Sequence, residues 1–521
     1  AQKTIKRKLK EFITALKIEQ TYTKSEILEL YLNSVYFGHG NYGVQSASIY
    51  YFGKDASDLS LDESAILIGL LPAPAIYSPR NHPERIHKRR NLVLKIMNER
   101  GYITSFEYEN FINKSLPEKN YDYDNSLAPH FSEHIRRELE LIDKNLGVNI
   151  YKDGLYVHTT LNSKIQNILK NNFEDVMNNN QKVFNKEVLN SPLILESIHK
   201  ANNFDLDSLK FILKNNLDIP KALRNQLLVQ GSAVILNPKN GNVLGMIGGR
   251  SKDVYIDHYN RAIQSKRQPG SVFKPFIYLS AIENGAKPCT QLINQPLVFF
   301  IDDTTRWNPQ NHDGSTGLQT SLRDGLKKSL NLISVRVVQE LINPWKVKKT
   351  AEKFQFSTPI KAVDAIALGV SEVKLLDMAV AYSAIANNGI LNEPLMITSI
   401  LDNDGRNLKN FNSTSKEVAD EKSIFILRDM MKSVIDNGTG ASLRWRYKFY
   451  TPAAGKTGTT NNKTDAWFIG FTTDIAIAVW IGIDDPKMKL GEKQYGSRAA
   501  LPIFAHTIKE IYDLEEYQFY D

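Results

Sequence analysis

Hydrophobic residues recur at helical spacing through the first hundred residues, and polar residues occupy the remaining helix faces. The clearest case is the segment from Ile5 to Glu19, in which Lys and Arg fill the positions between the apolar ones. A glycine-rich segment at residues 36–43 interrupts the pattern and predicts a loop. The spacing predicts helices over residues 5–19, 25–33, 61–71 and 89–100. Residues 1–115 are therefore predicted to form an all-helical unit.

Residues 116–229 predict a linker made of short and varied elements. A polar loop at 120–125 precedes a charged helix from Ala128 to Leu141, and residues 154–161 alternate as a strand. Residues 165–228 are rich in Lys and Asn at helical spacing. We expect this helical insertion to pack beside the last domain.

From Gln230 onward the apolar pattern changes to period two. Strands are predicted at 232–237 and 243–247, with Asn240 and Gly241 in the turn between them. Three more strands follow only near the end, and helices such as 376–386 fill the interval. Strands at both ends that enclose helices predict an antiparallel sheet with a helical layer, an α+β fold, over residues 230–521. The late strands are predicted at 453–459, 465–471 and 475–483.

The composition describes a globular protein of two or three domains, with 521 residues, 42% hydrophobic and 23% charged. The net charge of +8 suits an anionic membrane surface or a phosphorylated substrate, and it suits an ordinary solvated surface equally well. No basic run with interleaved aromatic residues points to nucleic acid. No run of eighteen apolar residues predicts a transmembrane helix.

Cys289 is the only cysteine, so the chain has no intrachain disulfide and no cysteine-based metal site. Cys289 is predicted to be a small buried residue. His258 and His312 have no acidic or histidine neighbours at metal-ligand spacing, and we expect structural or surface roles for them. The chain starts at Ala1 with no signal peptide, and we expect it to be a fragment that lacks its natural N-terminus.

One candidate nucleophile stands at the start of a predicted helix, in the sequence Arg267-Gln268-Pro269-Gly270-Ser271-Val272-Phe273-Lys274. Residues three apart share a helix face, so the Ser271 hydroxyl and the Lys274 amine can point into one cleft. A serine hydroxyl needs a base to accept its proton, and Lys274 can serve if burial lowers its pKa from about 10.4. The same spacing recurs in pairs predicted to be coincidences, Ser197/Lys200, Ser371/Lys374 and Ser413/Lys416.

Two later motifs distinguish the first copy from the others. Ser329-Leu330-Asn331 lies in a stretch from 326 to 341 that predicts a helix, and Lys456-Thr457-Gly458 lies in a predicted strand. Ser-x-x-Lys, Ser-x-Asn and Lys-Thr-Gly in this order are the signature of penicillin-binding proteins and serine β-lactamases. The chain from about 230 to 510 resembles their transpeptidase domain, which implies a five-stranded antiparallel sheet flanked by helices.

The first hundred residues resemble the C-terminal part of the lysozyme-like, all-helical glycosyltransferase domain of class A penicillin-binding proteins. The resemblance rests on the motifs RKxxExxxAxxLE from Arg7, KxxILExYLN from Lys24 and YFGK from Tyr51. It implies that Glu11 is the second of two active-site glutamates and that Arg7 and Lys8 lie near the lipid pyrophosphate. The alternative is an ordinary helix surface on which Glu11 pairs with Arg7 or Lys8.

The resemblance also implies that the first glutamate, the catalytic base, belongs to an upstream motif that the 521 residues do not contain. One carboxylate cannot perform two-carboxylate chemistry, so we expect no glycan polymerisation by residues 1–521 alone. The resemblance implies no cofactor for transpeptidation and a divalent cation, Mg²⁺, for the full-length glycosyltransferase.

For the second domain the resemblance implies a D,D-transpeptidase that cross-links peptidoglycan. Ser271 would attack the D-Ala-D-Ala carbonyl, with Lys274 as the general base. Ser329 would relay the proton to the leaving amine, and Asn331 would hold Lys274 or the substrate amide. The remaining implied residues bind the substrate: Lys456, Thr457 and Thr459 at its carboxylate, Gly458 where its backbone extends the sheet, and the N–H groups of Ser271 and Thr459 as the oxyanion hole.

The implied partners are peptidoglycan stem peptides, lipid II, β-lactam antibiotics and a cell-wall synthesis complex. The implied location is the extracytoplasmic face of the bacterial plasma membrane, with anchoring through an N-terminal helix. A D,D-carboxypeptidase or β-lactamase would carry the same three motifs, but a β-lactamase needs a second base to activate water. A β-lactam sensor or silent scaffold is the third alternative, and it needs a signalling domain.

Overall fold

The structure is a computed structural model, which describes residues 5–39, 41–79, 82–116, 127–150, 153–250, 259–300, 306–312, 314–460 and 463–520. The chain divides into two compact units. One comprises residues 1–126, 139–156 and 401–406, and the other comprises 127–138, 157–400 and 407–521. The predicted domain boundaries, 1–115, 116–229 and 230–521, stay predictions.

Helices dominate the first unit, as the spacing of its apolar residues predicts. Capping boxes begin α2 and α4, in which Thr23 and Ser60 exchange hydrogen bonds with Glu26 and Glu63. The glycine-rich segment at 36–43 was predicted to be a loop, but it contains a short hairpin because Gly38 turns the chain at φ +97°. The elements are α1 (Ile5–Thr21), α2 (Lys24–Ser34), β1 (Tyr36–Gly38), β2 (Asn41–Tyr42), α3 (Val44–Phe52), α4 (Leu61–Leu70), α5 (Pro83–Glu99) and α6 (Ser105–Ile112).

The predicted helical insertion is confirmed, and it follows a strand at the position where alternation predicts one. The insertion packs on the sheet of the second unit: the Cβ position of Gly231 lies within 3.2 Å of the side chains of Phe173 and Met177. The elements are α7 (Pro129–Leu146), β3 (Tyr156–Thr159), α8 (Ser163–Leu189), α9 (Pro192–Asn202), α10 (Leu206–Asn215), α11 (Arg224–Leu227), β4 (Val229–Leu236) and β5 (Val243–Ile247).

The rest of the second unit ends in three long strands, as predicted. The prediction that only helices fill the interval before them was wrong, because the described residues between 291 and 417 also form eight short strands. Its helices are α12 (Lys274–Glu283), α13 (Leu322–Lys327), α14 (Asn331–Arg336), α15 (Pro344–Lys353), α16 (Leu375–Ala386), α17 (Glu421–Asn437), α18 (Ser442–Trp445), α19 (Gly496–Ala499) and α20 (Leu501–Tyr512). Its strands are β6 (Gln291–Ile293), β7 (Phe299–Phe300), β8 (Arg306–Trp307), β9 (Gln319–Ser321), β10 (Ile390–Asn392), β11 (Ile397–Leu401), β12 (Asn407–Asn410), β13 (Ser415–Glu417), β14 (Ala454–Thr459), β15 (Asp465–Phe471) and β16 (Ala476–Ile483).

The five-stranded antiparallel sheet has the order β14-β15-β16-β4-β5, which confirms the predicted fold. The early and late strands meet where β16 pairs with β4, with Val479 opposite Ala233. Every residue of β15 and β16 is buried, because helices cover both faces of the sheet. Phe173 of α8 and Phe504 of α20 belong to the core on one face, whereas α16 packs against β4, β15 and β16 on the other.

Cys289 is exposed in the structure, so the prediction of a buried cysteine was wrong. It lies in the turn between α12 and β6, where the chain leaves the core. Among the described residues, no helix combines the length and apolarity needed to cross a bilayer.

Candidate active site

The predicted nucleophile, Ser271, lies in a 3₁₀ turn, Gly270–Phe273, that continues directly into α12. Ser271 is half-buried and precedes the fully buried Lys274 by one turn. Two large side chains donate hydrogen bonds to the backbone of this turn and of the residues just before it. The Tyr382 hydroxyl donates to the Val272 carbonyl at 2.7 Å, and Trp467 Nε1 donates to the Gln268 carbonyl at 2.9 Å. Both Tyr382 and Trp467 are buried, so the backbone around the nucleophile is fixed by the core.

Two glycines let this turn approach its neighbours closely. A Cβ on Gly369, which has φ +68°, would lie 2.2 Å from the Gly270 carbonyl oxygen. A Cβ on Gly458 would lie 2.8 Å from the Pro269 carbonyl oxygen and 2.9 Å from Val272 Cγ1. The predicted place of Gly458 beside the substrate backbone stays a prediction, and the absence of a side chain there also makes room for the nucleophile turn. As a result, the backbone of Ser271 is held next to β14.

We predict that Gly369→Ala displaces this turn and slows acylation of Ser271 at least about tenfold. The left-handed conformation costs an alanine ~1–2 kcal/mol, and the clash with the Gly270 backbone adds ~1–3 kcal/mol. The measurements are the melting temperature and the rate of β-lactam acylation. Gly317→Ala is the matched control, because Gly317 has the same φ of +68° and a Cβ there would meet nothing within 4 Å. Equal effects from the two substitutions would contradict the prediction.

The Ser-x-Asn motif lies on a break between two helices. The sequence predicted one helix over 326–341, but α13 ends at Lys327 and α14 begins at Asn331. Ser329 between them adopts a left-handed conformation, φ +59°, which is unfavourable for a residue with a Cβ. This conformation aims both the carbonyl and the hydroxyl of Ser329 at buried lysines, and those hydrogen bonds offset its cost.

The two lysines of the signature converge on Ser329. Lys274 Nζ donates to the Ser329 carbonyl at 2.7 Å and to Asn331 Oδ1 at 2.9 Å, and it lies 3.4 Å from Ser329 Oγ. Lys456 Nζ donates to Ser329 Oγ at 2.8 Å and to the Thr457 carbonyl at 3.1 Å. A neutral amine has two N–H donors, so the two carbonyl oxygens can take both donors of Lys274 and leave its lone pair for a proton.

Burial lowers the pKa of both amines, and the neighbouring charge of Lys456 adds to this effect at Lys274. Burial, and then the charge of Lys456, holds the pKa of Lys274 well below its usual range. Burial lowers the pKa of Lys456 to about 7. The hydrogen-bond acceptors of the two amines in the described structure are carbonyl, amide and hydroxyl oxygens, and none is a carboxylate. The site can therefore hold one neutral and one charged amine near neutral pH.

Threonine hydroxyls line the edge strand β14 beside the lysines. Thr457 Oγ1 lies 2.7 Å from Thr439 Oγ1, and Thr459 Oγ1 accepts from the Gly496 N–H at 3.1 Å. Thr439 was not predicted from the sequence. Its local signal is weak, since it is a threonine between Gly438 and Gly440. Its hydroxyl orients that of Thr457, the predicted carboxylate ligand.

The remaining predicted residues are Arg7, Lys8, Glu11, His258 and His312. Arg7 and Glu11 lie on α1, with side chains outside the described part of the chain, while Lys8 is exposed. His258 also lies outside the described residues, and the exposed His312 packs edge-on against Tyr495 at 5.1 Å. No group of three His, Cys, Asp or Glu residues in the described ranges could hold a metal ion. Mg²⁺ for the glycosyltransferase stays a prediction.

Two family models match the chain. The penicillin-binding protein transpeptidase domain matches residues 231–509, and the transglycosylase model matches residues 1–98. All three transpeptidase motifs lie within the first match, and Arg7, Lys8 and Glu11 lie within the second.

Similar proteins align with three quarters or nearly all of the chain. Penicillin-binding protein 1A of Aquifex aeolicus is 33% identical over 98% of this chain and 74% of its own length. Penicillin-binding protein 1A of Rickettsia prowazekii is 30% identical over 98% of this chain and 73% of its own length. The crystal structure of penicillin-binding protein 1A from Haemophilus influenzae matches with a TM-score of 0.69 and 26% identity, covering 94% of this chain and 86% of that one. The structure of PonA1 from Mycobacterium tuberculosis with penicillin V shares the fold, with a TM-score of 0.55 and 21% identity, over 74% of this chain and 93% of that one.

Proposed function

The chain belongs to the class A penicillin-binding proteins, which combine peptidoglycan cross-linking with glycan polymerisation, and from this we propose that it cross-links through an acyl-enzyme on Ser271. The observation that supports the proposal best is that the two short hydrogen bonds of Lys274, to the Ser329 carbonyl and Asn331 Oδ1, can take both donors of a neutral amine, so that its lone pair can accept a proton. Ser271 stands one helical turn before that amine.

In the first step, Ser271 Oγ attacks the carbonyl carbon of the penultimate D-Ala, and Lys274 Nζ takes the hydroxyl proton. The backbone N–H groups of Ser271 and Thr459 stabilise the oxyanion, and each such donor contributes ~3–4 kcal/mol to the transition state. Ser329 Oγ, which accepts from Lys456, passes its proton to the amine of the leaving D-Ala and regains one from Lys274 Nζ, 3.4 Å away. The amine of a second stem peptide then attacks the ester carbonyl and gives up a proton through Ser329 Oγ to Lys274 Nζ. Lys274 returns a proton to Ser271 Oγ as the ester C–O bond breaks and the cross-link forms.

Charge complementarity selects the substrate terminus. We assign the carboxylate of the terminal D-Ala to the hydroxyls of Thr457 and Thr459 on β14, with the Lys456 ammonium behind them. Thr439 orients the first hydroxyl, and the N–H of Gly496 orients the second. A donor without a free carboxylate leaves the charged amine without a counterion and is expected to react slowly.

A hydrolase is the alternative that uses the same acyl-enzyme. It requires a base that activates water, and neither lysine nor Ser329 has a carboxylate partner among the described residues. This arrangement favours an acyl-enzyme that waits for an amine acceptor. We extend the proposal to β-lactam binding, because PonA1, which shares the fold, has been solved with penicillin V.

The test combines trapping and turnover. Intact mass should show one persistent benzylpenicillin adduct per chain over hours. A synthetic stem peptide that ends in D-Ala-D-Ala should release D-Ala and couple to a D-amino acid acceptor. Rapid disappearance of the adduct with consumption of the drug would identify a hydrolase instead, and the absence of any adduct would overturn the proposal.

We predict that acylation by benzylpenicillin slows above about pH 7. The pKa of Lys456 is lowered to about 7, so raising the pH through this value removes the charge that attracts the carboxylate. The second-order rate constant for acylation reports the free enzyme and should approach a tenfold fall per pH unit on this limb. Between pH 7 and about 10.4, Lys456 is neutral in the folded chain but still protonated in the unfolded chain. The free energy of unfolding should therefore rise with pH over this range. A flat rate profile from pH 6 to 9 would contradict the assignment of Lys456 to the carboxylate.

Glycan polymerisation requires a second carboxylate beside Glu11. We predict that residues 1–521 alone do not polymerise lipid II, with Mg²⁺ present or absent. The measurement is the chain-length distribution of products from labelled lipid II, with penicillin acylation of the same sample as the control for folding. Robust polymerisation would contradict this prediction.

We propose that the whole protein acts at the extracytoplasmic face of the plasma membrane, within a cell-wall synthesis complex. Its proposed substrates, stem peptides and lipid II, are found at that face.

A further inference from the structure

A buried asparagine outside the three motifs caps the helix that carries Asn331. The residue before α14 is Leu330, whose side chain has no acceptor for the first backbone N–H groups. Asn311 supplies it from a distant loop: its Oδ1 accepts from the Leu332 N–H at 3.0 Å. From this geometry we infer that Asn311 is a positioning residue for the base Lys274, acting through Asn331. The inference rests on the proposed acyl-enzyme function.

The amide of Asn311 has one possible orientation. Its Nδ2 donates to Asn294 Oδ1 at 2.7 Å and to the Gly314 carbonyl at 2.9 Å. The reverse orientation would place the amide nitrogen against the Leu332 N–H and the amide oxygen against two acceptors. Asn294 and Asn311 are only 3% and 7% exposed, so water cannot easily replace these hydrogen bonds. The loop is thereby fixed to the start of α14.

The residue before Asn311 sets the orientation of Asn331. The Gln310 carbonyl accepts from Asn331 Nδ2 at 2.8 Å, and this directs Asn331 Oδ1 to Lys274 Nζ at 2.9 Å. If the loop moves away, the Asn331 amide is free to rotate and to present its N–H₂ to the amine. A neutral Lys274 would then accept that N–H with its lone pair, and Ser271 would lose its base. The Asn311 cap therefore keeps the lone pair available.

The pH dependence offers a readout that simple loss of folding does not give. Asn331 Oδ1, as an acceptor, favours the charged form of Lys274, whereas the N–H₂ group of a rotated Asn331 would favour the neutral form. Loss of the cap should therefore lower the pKa of Lys274 and move the acid limb of the acylation profile to lower pH. The other charged group acting on Lys274 is Lys456 on β14. Tyr278 on α12 and Tyr382 on α16 stay neutral, because burial raises the pKa of each above 10.

The experiment compares Asn311→Ala with the wild type by time-resolved intact mass with benzylpenicillin. We expect the limiting acylation rate to fall ~10- to 100-fold, the size typical of a misplaced catalytic group, while the dissociation constant of the noncovalent complex changes less than about threefold. The acid limb should move to lower pH. Asn308→Ala, at an exposed position three residues away on the same loop, is the control and should behave like the wild type.

Asn311→Asp keeps an acceptor for Leu332 but loses both donors, so we expect an intermediate rate, and this variant can replace Asn311→Ala if the alanine variant does not fold. The inference would be overturned if the Asn311 variants showed only a smaller fraction of active protein, with the limiting acylation rate and the acid limb of the wild type. Asn311 would then have a purely structural role. Wild-type protein without any adduct would instead refute the proposed function, so the two failures are distinguishable.

Discussion

Ser271→Ala is expected to abolish the benzylpenicillin adduct and the release of D-Ala. The substitution removes one oxygen atom from a half-buried position and leaves the turn, Lys274 and β14 in place. Ser271 stands one turn before the buried Lys274, in the turn that packs against Gly458 of β14. Removing the nucleophile of a serine enzyme reduces turnover by roughly 10⁶-fold, which is a complete loss in a mass measurement.

Ser197→Ala is the matched control, because Ser197 and Lys200 have the same sequence spacing. Ser197 is exposed on α9, and Lys200 forms an ion pair with Glu196 at 3.6 Å in solvent. This control should acylate at the wild-type rate. An adduct that persists in Ser271→Ala would show that another residue is the nucleophile, and peptide mapping would then locate it.

The fold could be predicted from the sequence where the apolar pattern is long and regular. The strands 465–471 and 475–483 and the helix 376–386 differ from the observed elements by at most one residue, because burial on both sides requires unbroken apolar runs. The apolar pattern predicted the wrong structure at residues 326–341, where the backbone conformation of one residue ends the helix. Ser329 interrupts a stretch of good helical spacing, and the cause is its hydrogen bonding to lysines 55 and 127 residues away.

The motifs of the candidate site could be predicted from the sequence, but the hydrogen bonds that connect them could not. The motifs name Ser271, Lys274 and Lys456, yet no spacing shows that both amines meet at one serine hydroxyl. A glycine in an edge strand predicts that another backbone approaches it closely, but the sequence does not show that the nucleophile turn is one such neighbour of Gly458. Asn311 carries no local signal at all, since its partner Leu332 is 21 residues away.

The substitution Lys274→Met tests whether Lys274 is the general base for acylation of Ser271. The substitution keeps a long unbranched side chain in a fully buried position and removes the amine. Loss of a general base should lower the acylation rate constant by ~10²- to 10⁴-fold. It also leaves the Ser329 carbonyl and Asn331 Oδ1 without their donor, which costs ~1–3 kcal/mol per buried group, so the melting temperature must be measured beside the rate.

Lys274→Arg separates proton transfer from charge. A guanidinium can donate to the same two carbonyl oxygens and stays charged at every pH of the assay, so it cannot accept the Ser271 proton. We therefore expect the arginine variant to be as slow as the methionine variant, with Lys200→Met at an exposed position as the unaffected control. If Lys274→Arg acylates within about tenfold of the wild type, Lys274 acts through its charge. The base would then have to be Lys456, acting through Ser329 Oγ at 2.8 Å, and the rate should rise rather than fall as the pH passes 7.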